Sequence, residues 1–157
     1  MIDDLYSAKL LALAANMPRI GRLAAPDASV EKIAKLCGSR VVVDVVVDGG
    51  RVTDFAQDVR ACALGQAAAS VLGAQVIGAS LEELEVTRSQ FRAMLKDGAP
   101  APDGRFSDLA MLAPVKDYPA RHASTLLAFE AVTEAVRTAT AAQTGDLPGR
   151  TSPAGAA

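Results

Sequence analysis

The chain has 157 residues, 50% hydrophobic, 22% charged and only 4% aromatic, which fits one domain with its own core and excludes a disordered, collagen-like or disulfide-stapled chain. A formal net charge of -2 gives no field to gather phosphates and argues against nucleic-acid binding. The acidic start Met1-Ile2-Asp3-Asp4 lacks the positive charge of a secretory signal, so the expected location is the cytoplasm, where cysteines stay reduced.

Asp3 to about Ala15 spaces its leucines for a short amphipathic helix that ends before Pro18. From Asn16 to Lys35 no period is sustained, and Pro18, Gly21, Pro26 and Asp27 mark an expected surface loop. Arg40–Val47 holds six valines interrupted only by Asp44, a β-branched run that predicts a strand. Asp48-Gly49-Gly50 supplies a turn, and Arg51–Gln57 reads as the return strand of a hairpin. A third strand is expected to come from the loop before Cys37 or from the N-terminal region.

After Val59 the composition turns to alanine and leucine. Leu64, Ala67, Ala68, Val71 and Leu72 share one helical face, with Gly78 placed to stop the helix. The uncharged run Ala61–Leu81 has membrane-spanning length, but Gln66, Ser70, Gln75 and three glycines interrupt it. It is expected to be a buried helix, with no membrane involved. Ser80 and Glu83 form a capping box for a helix from Leu81 to about Lys96. Gly98, Pro100 and Pro102 break the chain, Phe106 to about Leu112 predicts a short helix before Pro114, and Pro119 opens a last helix to about Thr140. That helix carries the stripe Leu127, Ala128, Ala131, Val132, Ala135, Val136 and Ala139, with Ser124 one turn ahead of Ala128; Glu130, Thr133, Glu134 and Arg137 lie on its other side. The domain is thus expected over residues 1–140 and a disordered tail over 141–157.

No Gly-rich phosphate loop, HExxH, GxSxG or CxxC occurs, and a single histidine, His122, with a single asparagine, Asn16, leaves little for a hydrolytic triad. What remains is the pair Cys37 and Cys62. Cys37 precedes the first hairpin strand and Cys62 lies between the second strand and a helix, so a hairpin returns both to one end of the sheet. Cys62 at a helix N-terminus faces N–H groups that favour negative charge. Two readings stand at this point: thiols available for metal or sulfur chemistry, or two small buried hydrophobes.

The order loop, Cys37-Gly38, valine strand, Asp-Gly turn, strand, Cys62, Ala/Ser-rich helix, second helix, and a last helix introduced by Lys116-Asp117-Tyr118-Pro119-Ala120-Arg121 resembles the NifU/IscU/SufU family of iron–sulfur cluster assembly proteins. It most resembles the SufU branch, through the longer segment Lys96–Pro114. The resemblance covers about Met1–Ala139 and implies an α+β fold of the SufE/NifU type, a small antiparallel β-sheet with helices packed on one face. It also implies a scaffold rather than an enzyme, with a cysteine desulfurase and recipient apo-proteins as partners. Family members surround an iron–sulfur cluster or a zinc ion with three cysteines and an aspartate. Here the first two cysteines fall on Cys37 and Cys62, the aspartate is replaced by Ser39, and the third cysteine by Ser124. Arg121 matches an arginine beside the site, and His122 is a further candidate ligand. A homodimer would bring four cysteines to one site. Alternatives are a metal-free interaction or regulatory module, and a sulfur-accepting sulfurtransferase partner of the desulfurase.

Overall fold

The computed structural model describes residues 6–144. In chain order these form α1 (Ala8–Ala15), β1 (Ala28–Ala34), β2 (Ser39–Asp48), β3 (Arg51–Arg60), α2 (Ala63–Gln75), α3 (Leu81–Asp97), a 3-10 stretch (Gly104–Asp117), a 3-10 turn (Pro119–Arg121) and α4 (His122–Thr144). The strands make one antiparallel sheet in the order β1-β2-β3, so the expected α+β class holds.

β2 is the central strand. Its alternate valines, Val41, Val43, Val45 and Val47, join the core, where β-branched side chains pack well on a pleated surface. Gly49 and Gly50, both at positive φ, close the two-residue turn to β3, as a type I′ hairpin requires. Beyond the turn the register shifts between Val46 and Val47, with Thr53 as the extra residue of a bulge.

β1 corrects the expectation of a loop from Asn16 to Lys35 and is the third strand that the hairpin needed. Ala28, Val30 and Ala34 are buried while Ser29, Glu31 and Ile33 are exposed. That alternation was masked by Lys32, which stands at an inward position. Lys32 sits there because its ammonium lies 2.6 Å from the Glu134 carboxylate on α4.

α4 packs across β1 and β2 and also touches α2 and α3. Its Phe129 makes edge-to-face contacts with Phe91 of α3 and Phe106 of the 3-10 stretch, at centroid distances of 5.6 and 5.3 Å. Such pairs add to plain area burial. α2 is buried on nearly every side, which is why it carries no charge. Among the described residues no helix is long and apolar enough to cross a membrane.

The boundaries also differ from expectation for identifiable reasons. α1 begins at Ala8 because the Ser7 hydroxyl accepts from the Leu10 N–H at 3.2 Å, a cap that ends the helix there; residues 1–5 lie outside the described residues. Helical turns continue past Pro114 to Asp117 because Phe106, Leu109, Leu112 and Val115 are all buried. Their spacing of three is the period of a 3-10 helix, and Pro114 stands off that stripe. Thr133 is buried rather than on the polar side; its hydroxyl donates to the Phe129 carbonyl at 2.6 Å, which makes burial tolerable. α4 runs on to Thr144, past the expected end at Thr140, and the tail expected beyond it lies outside the described residues from 145 onward.

The face of the sheet opposite the helices is closed around Asp44, whose carboxylate has no exposed surface. It accepts from Arg22 Nε at 2.7 Å and Nη2 at 3.1 Å, from Ser29 Oγ at 2.6 Å, and from the Leu23 N–H at 3.0 Å. Burial pushes its pKa up, but the bonds from Arg22, Ser29 and Leu23 together outweigh burial and hold it below the ordinary carboxylate value. A depressed folded-state pKa adds stability above the unfolded-state pKa, and that stability is lost as pH falls through the folded value. Asp44→Asn is therefore expected to lower unfolding stability at pH 7 by roughly 1–3 kcal/mol. The gap to wild type should narrow below about pH 4, where unfolded carboxylates protonate. Urea melts across pH check this; a gap independent of pH would show that the charge contributes nothing.

Candidate functional site

Cys37 sits in the four-residue turn between β1 and β2, whose ends are paired as Ala34 and Ser39. The Gly38 N–H donates to the Ala34 carbonyl at 2.9 Å, and Gly38 takes φ +77°, a left-handed conformation that glycine adopts without strain. This reverses the chain so that Ser39 folds back on Cys37, with 3.1 Å between Cys37 Sγ and Ser39 Oγ. The thiol is exposed while Ser39 is buried. The Ser39 hydroxyl bond is the main influence holding the Cys37 pKa below its ordinary value. Backbone N–H groups and the Ser124 hydroxyl add to it, against an upward push from partial burial.

Cys62 is the N-cap of α2, in extended backbone conformation and with its side chain free of any capping bond. Its half-buried sulfur points instead to α4, 3.6 Å from Ser124 Oγ. The two helix starts meet so closely that a Cβ on Gly65 would lie 2.9 Å from the Ser124 carbonyl oxygen. Sequence reasoning missed Gly65 as a site residue; its signal was a glycine in the first turn of an alanine-rich helix. Ser124 is buried and its hydroxyl lies 3.2 Å from the Arg121 carbonyl. Cys37 pairs with Ser39 and Cys62 with Ser124, and Ser124 is near enough to Cys37 to help lower its pKa, so the four residues gather at one end of the sheet.

The other two candidates play different parts. Arg121 is exposed; its backbone carbonyl accepts from Ser124 and Thr125, and its guanidinium has no ion pair among the described residues. His122 is buried, with Nε2 at 2.9 Å from the Val115 carbonyl and 3.2 Å from that of Lys116. A carbonyl only accepts, so Nε2 carries the proton and is not available to a metal. His122 pins the 3-10 stretch to the start of α4.

The donor set can be weighed against the iron–sulfur cluster or zinc that the resemblance implies. Zinc and cluster iron take thiolate, imidazole or carboxylate, and a neutral serine hydroxyl is a poor ligand. Among the described residues no group of three or more His, Cys, Asp or Glu side chains is placed to hold a metal ion. Two thiols and two hydroxyls do not fit a tetrahedral metal or a cluster within one chain.

A three-stranded antiparallel sheet backed by helices, with cysteines at the β1–β2 turn and the α2 N-cap, defines a class of small thiol-bearing domains. The family model of the NifU-like N-terminal domain matches residues 5–125, and the chain belongs to this family, which includes iron–sulfur cluster assembly scaffolds. The crystal structure of the N-terminal part of a nitrogen-fixing NifU-like protein from Brucella abortus is 52% identical with a TM-score of 0.87, covering 88% of this chain and 96% of that one. The iron–sulfur cluster assembly scaffold protein IscU of Thermotoga maritima is 27% identical over 85% of this chain and 93% of its own length. A SUF-system scaffold protein from Fervidobacterium islandicum AW-1 shares the fold, at 22% identity and a TM-score of 0.77 over 85% of this chain and 98% of that one.

Two outcomes are expected from this geometry. The alkylation rate of Cys37 by iodoacetamide should rise with pH around a midpoint below that of an ordinary cysteine, and Ser39→Ala should move that midpoint upward. Cys62→Ser isolates Cys37 for the measurement; an unmoved midpoint would remove Ser39 as the cause. Gly65→Ala should cost about 1–2 kcal/mol in a denaturant melt, although alanine is the better helix former, and should speed alkylation of Cys62. A more stable variant would show that α2 and α4 have room to spare.

Proposed function

We propose that this chain serves iron–sulfur cluster assembly as a sulfur acceptor, with Cys37 receiving sulfur from a cysteine desulfurase and passing it on toward recipient apo-proteins. The observation that carries the reading is the exposed Cys37 thiol, in a tight turn and hydrogen-bonded by Ser39. The thiolate, not the thiol, attacks sulfur, and the Ser39 hydroxyl and N–H favour that form.

In the transfer, the Cys37 thiolate attacks the outer sulfur of a persulfide on the donor enzyme. The donor's S–S bond breaks, its cysteine leaves as a thiolate, and a new S–S bond forms on Cys37 with no net oxidation or reduction. Ser39 donates a hydrogen bond to the attacking thiolate and holds it in place. The exposed Arg121 guanidinium adds positive charge beside the start of α4, where an anionic persulfide would approach.

Incubation of the reduced protein with a cysteine desulfurase and cysteine, followed by intact mass and peptide mapping, tests the reading. Wild type is expected to gain sulfur mapped to Cys37, and Cys37→Ser, shown folded by circular dichroism, to gain none. Equal labelling of the two would overturn the assignment. A second reading, a cluster held between two chains that pool their thiols, is favoured by the exposure of Cys37 and has a different signature. Protein purified without oxygen would then hold iron and acid-labile sulfide, run as a dimer, and lose both properties in Cys37→Ser.

A further inference from the structure

Building on the sulfur-accepting role of Cys37, we propose that Cys62 is a resolving cysteine: it attacks the Cys37 persulfide, forms a Cys37–Cys62 disulfide and releases the carried sulfur as hydrosulfide. The step balances. The Cys62 thiolate attacks Sγ of Cys37, the bond from Sγ to the outer sulfur breaks, and that sulfur departs with the electron pair as HS⁻. The outer sulfur is reduced by two electrons and the two cysteines are oxidised to a disulfide, so release needs no external electron donor. A dithiol reductant then returns the disulfide to two thiols and completes the cycle.

Three features carry the inference. First, both sulfurs lie near the same hydroxyl. Cys62 Sγ lies 3.6 Å from Ser124 Oγ, and Ser124 is near enough to Cys37 to help lower that thiol's pKa, which sets the thiols around one small group. Second, the groups around the pair are hydroxyls. Ser39 and Ser124 each hold one rotatable proton that can turn toward a sulfur as its charge changes, a service to thiol exchange that a ligating carboxylate or third thiolate would not supply. The Ser124 proton has an alternative acceptor in the Arg121 carbonyl at 3.2 Å, so it can be given or withheld.

Third, one partner is fixed and the other is free to approach. Cys62 is held at the N-cap of a helix packed against the start of α4. Cys37 sits in the turn 35–38, whose four residues are all exposed, so its displacement toward Cys62 disturbs no core packing and exchanges only its contact with Ser39. A disulfide requires Cβ atoms about 3.5–4.5 Å apart, and the turn supplies the approach. Hydrosulfide is a good leaving group because thiol exchange proceeds faster as the departing sulfur becomes less basic.

The test loads the reduced protein with glutathione persulfide, removes excess reagent without oxygen, and follows intact mass, free sulfide and disulfide-linked peptides over time. Wild type is expected to lose the added sulfur, release sulfide in equal amount and yield a Cys37–Cys62 linked peptide. Cys62→Ser and Cys62→Ala, both checked for fold by circular dichroism, are expected to keep sulfur on Cys37 about tenfold longer or more, with no linked peptide. Retention of the added sulfur by wild type, on either cysteine, overturns the proposal while leaving sulfur acceptance intact. Failure of Cys37 to take up sulfur in wild type and variants alike overturns both.

Discussion

The site depends on one backbone approach, Gly65 of α2 against the Ser124 carbonyl of α4. No side chain separates the helices there, since a Cβ would come within 2.9 Å of the carbonyl oxygen. Glycine inside a helix costs roughly 0.5–1 kcal/mol relative to alanine, and the close packing of two buried helices offsets that cost. The same logic recurs two turns on, where Gly73 leaves room for Gln57 Nε2 and the Pro18 carbonyl. An alanine-rich, uncharged α2 is what a helix needs when α1, α4 and β3 all press against it. With α2 seated this way, its N-cap residue Cys62 is set beside Ser124, and the geometry of the thiol pair follows from the packing of the core rather than from any contact between the thiols themselves.

Replacing ligands by hydroxyls changes what the site can do. A thiolate or carboxylate brings charge that a metal ion neutralises; a serine brings a proton and two lone pairs at no net charge. Around Cys37 and Cys62 the hydroxyls of Ser39 and Ser124 therefore act on the sulfurs instead of joining them as ligands. Ser39 favours the Cys37 thiolate by direct hydrogen bonding, and Ser124 lies against the Cys62 sulfur. Membership in a family that includes cluster scaffolds tells what frame the residues stand in; within that frame the donor set is two thiols and two hydroxyls, a poor set for a metal within one chain.

Much of the frame was legible from residue pattern alone. The valine run favoured a strand over a helix, and Ser80 with Glu83 marked the start of α3, where the Ser80 hydroxyl accepts from the Glu83 N–H. Cys62 before an alanine-rich run marked an N-cap. β1 was hidden because Lys32 occupies an inward position at the rim of the sheet, where its side chain keeps 37% exposure and pairs with the distant Glu134. The 3-10 stretch was cut short at Pro114 because its three-residue apolar period is weak evidence until Phe129 is seen packed on Phe106. His122 was a candidate ligand by residue type alone. Its Nε2 meets a pair of carbonyls, from Val115 and Lys116, and no side-chain pattern announces where a backbone carbonyl will point.

The two faces of the sheet divide stability and reactivity between them. On the outer face Asp44 ties the segment around Arg22 and Leu23 to β2 through four hydrogen bonds that also involve Ser29, so the middle of β2 is locked to the edge of the sheet. On the inner face the valines of the same strand pack under α4. β2 is thereby fixed through its length, and Ser39, its first residue, is fixed with it. Cys37 lies just two residues earlier, beyond Gly38, in a turn that belongs to neither face. A buried hydroxyl on the strand and an exposed thiol on the turn need no further element to position them. The step from buried Ser39 to exposed Cys37 is where the packed sheet ends and solvent begins.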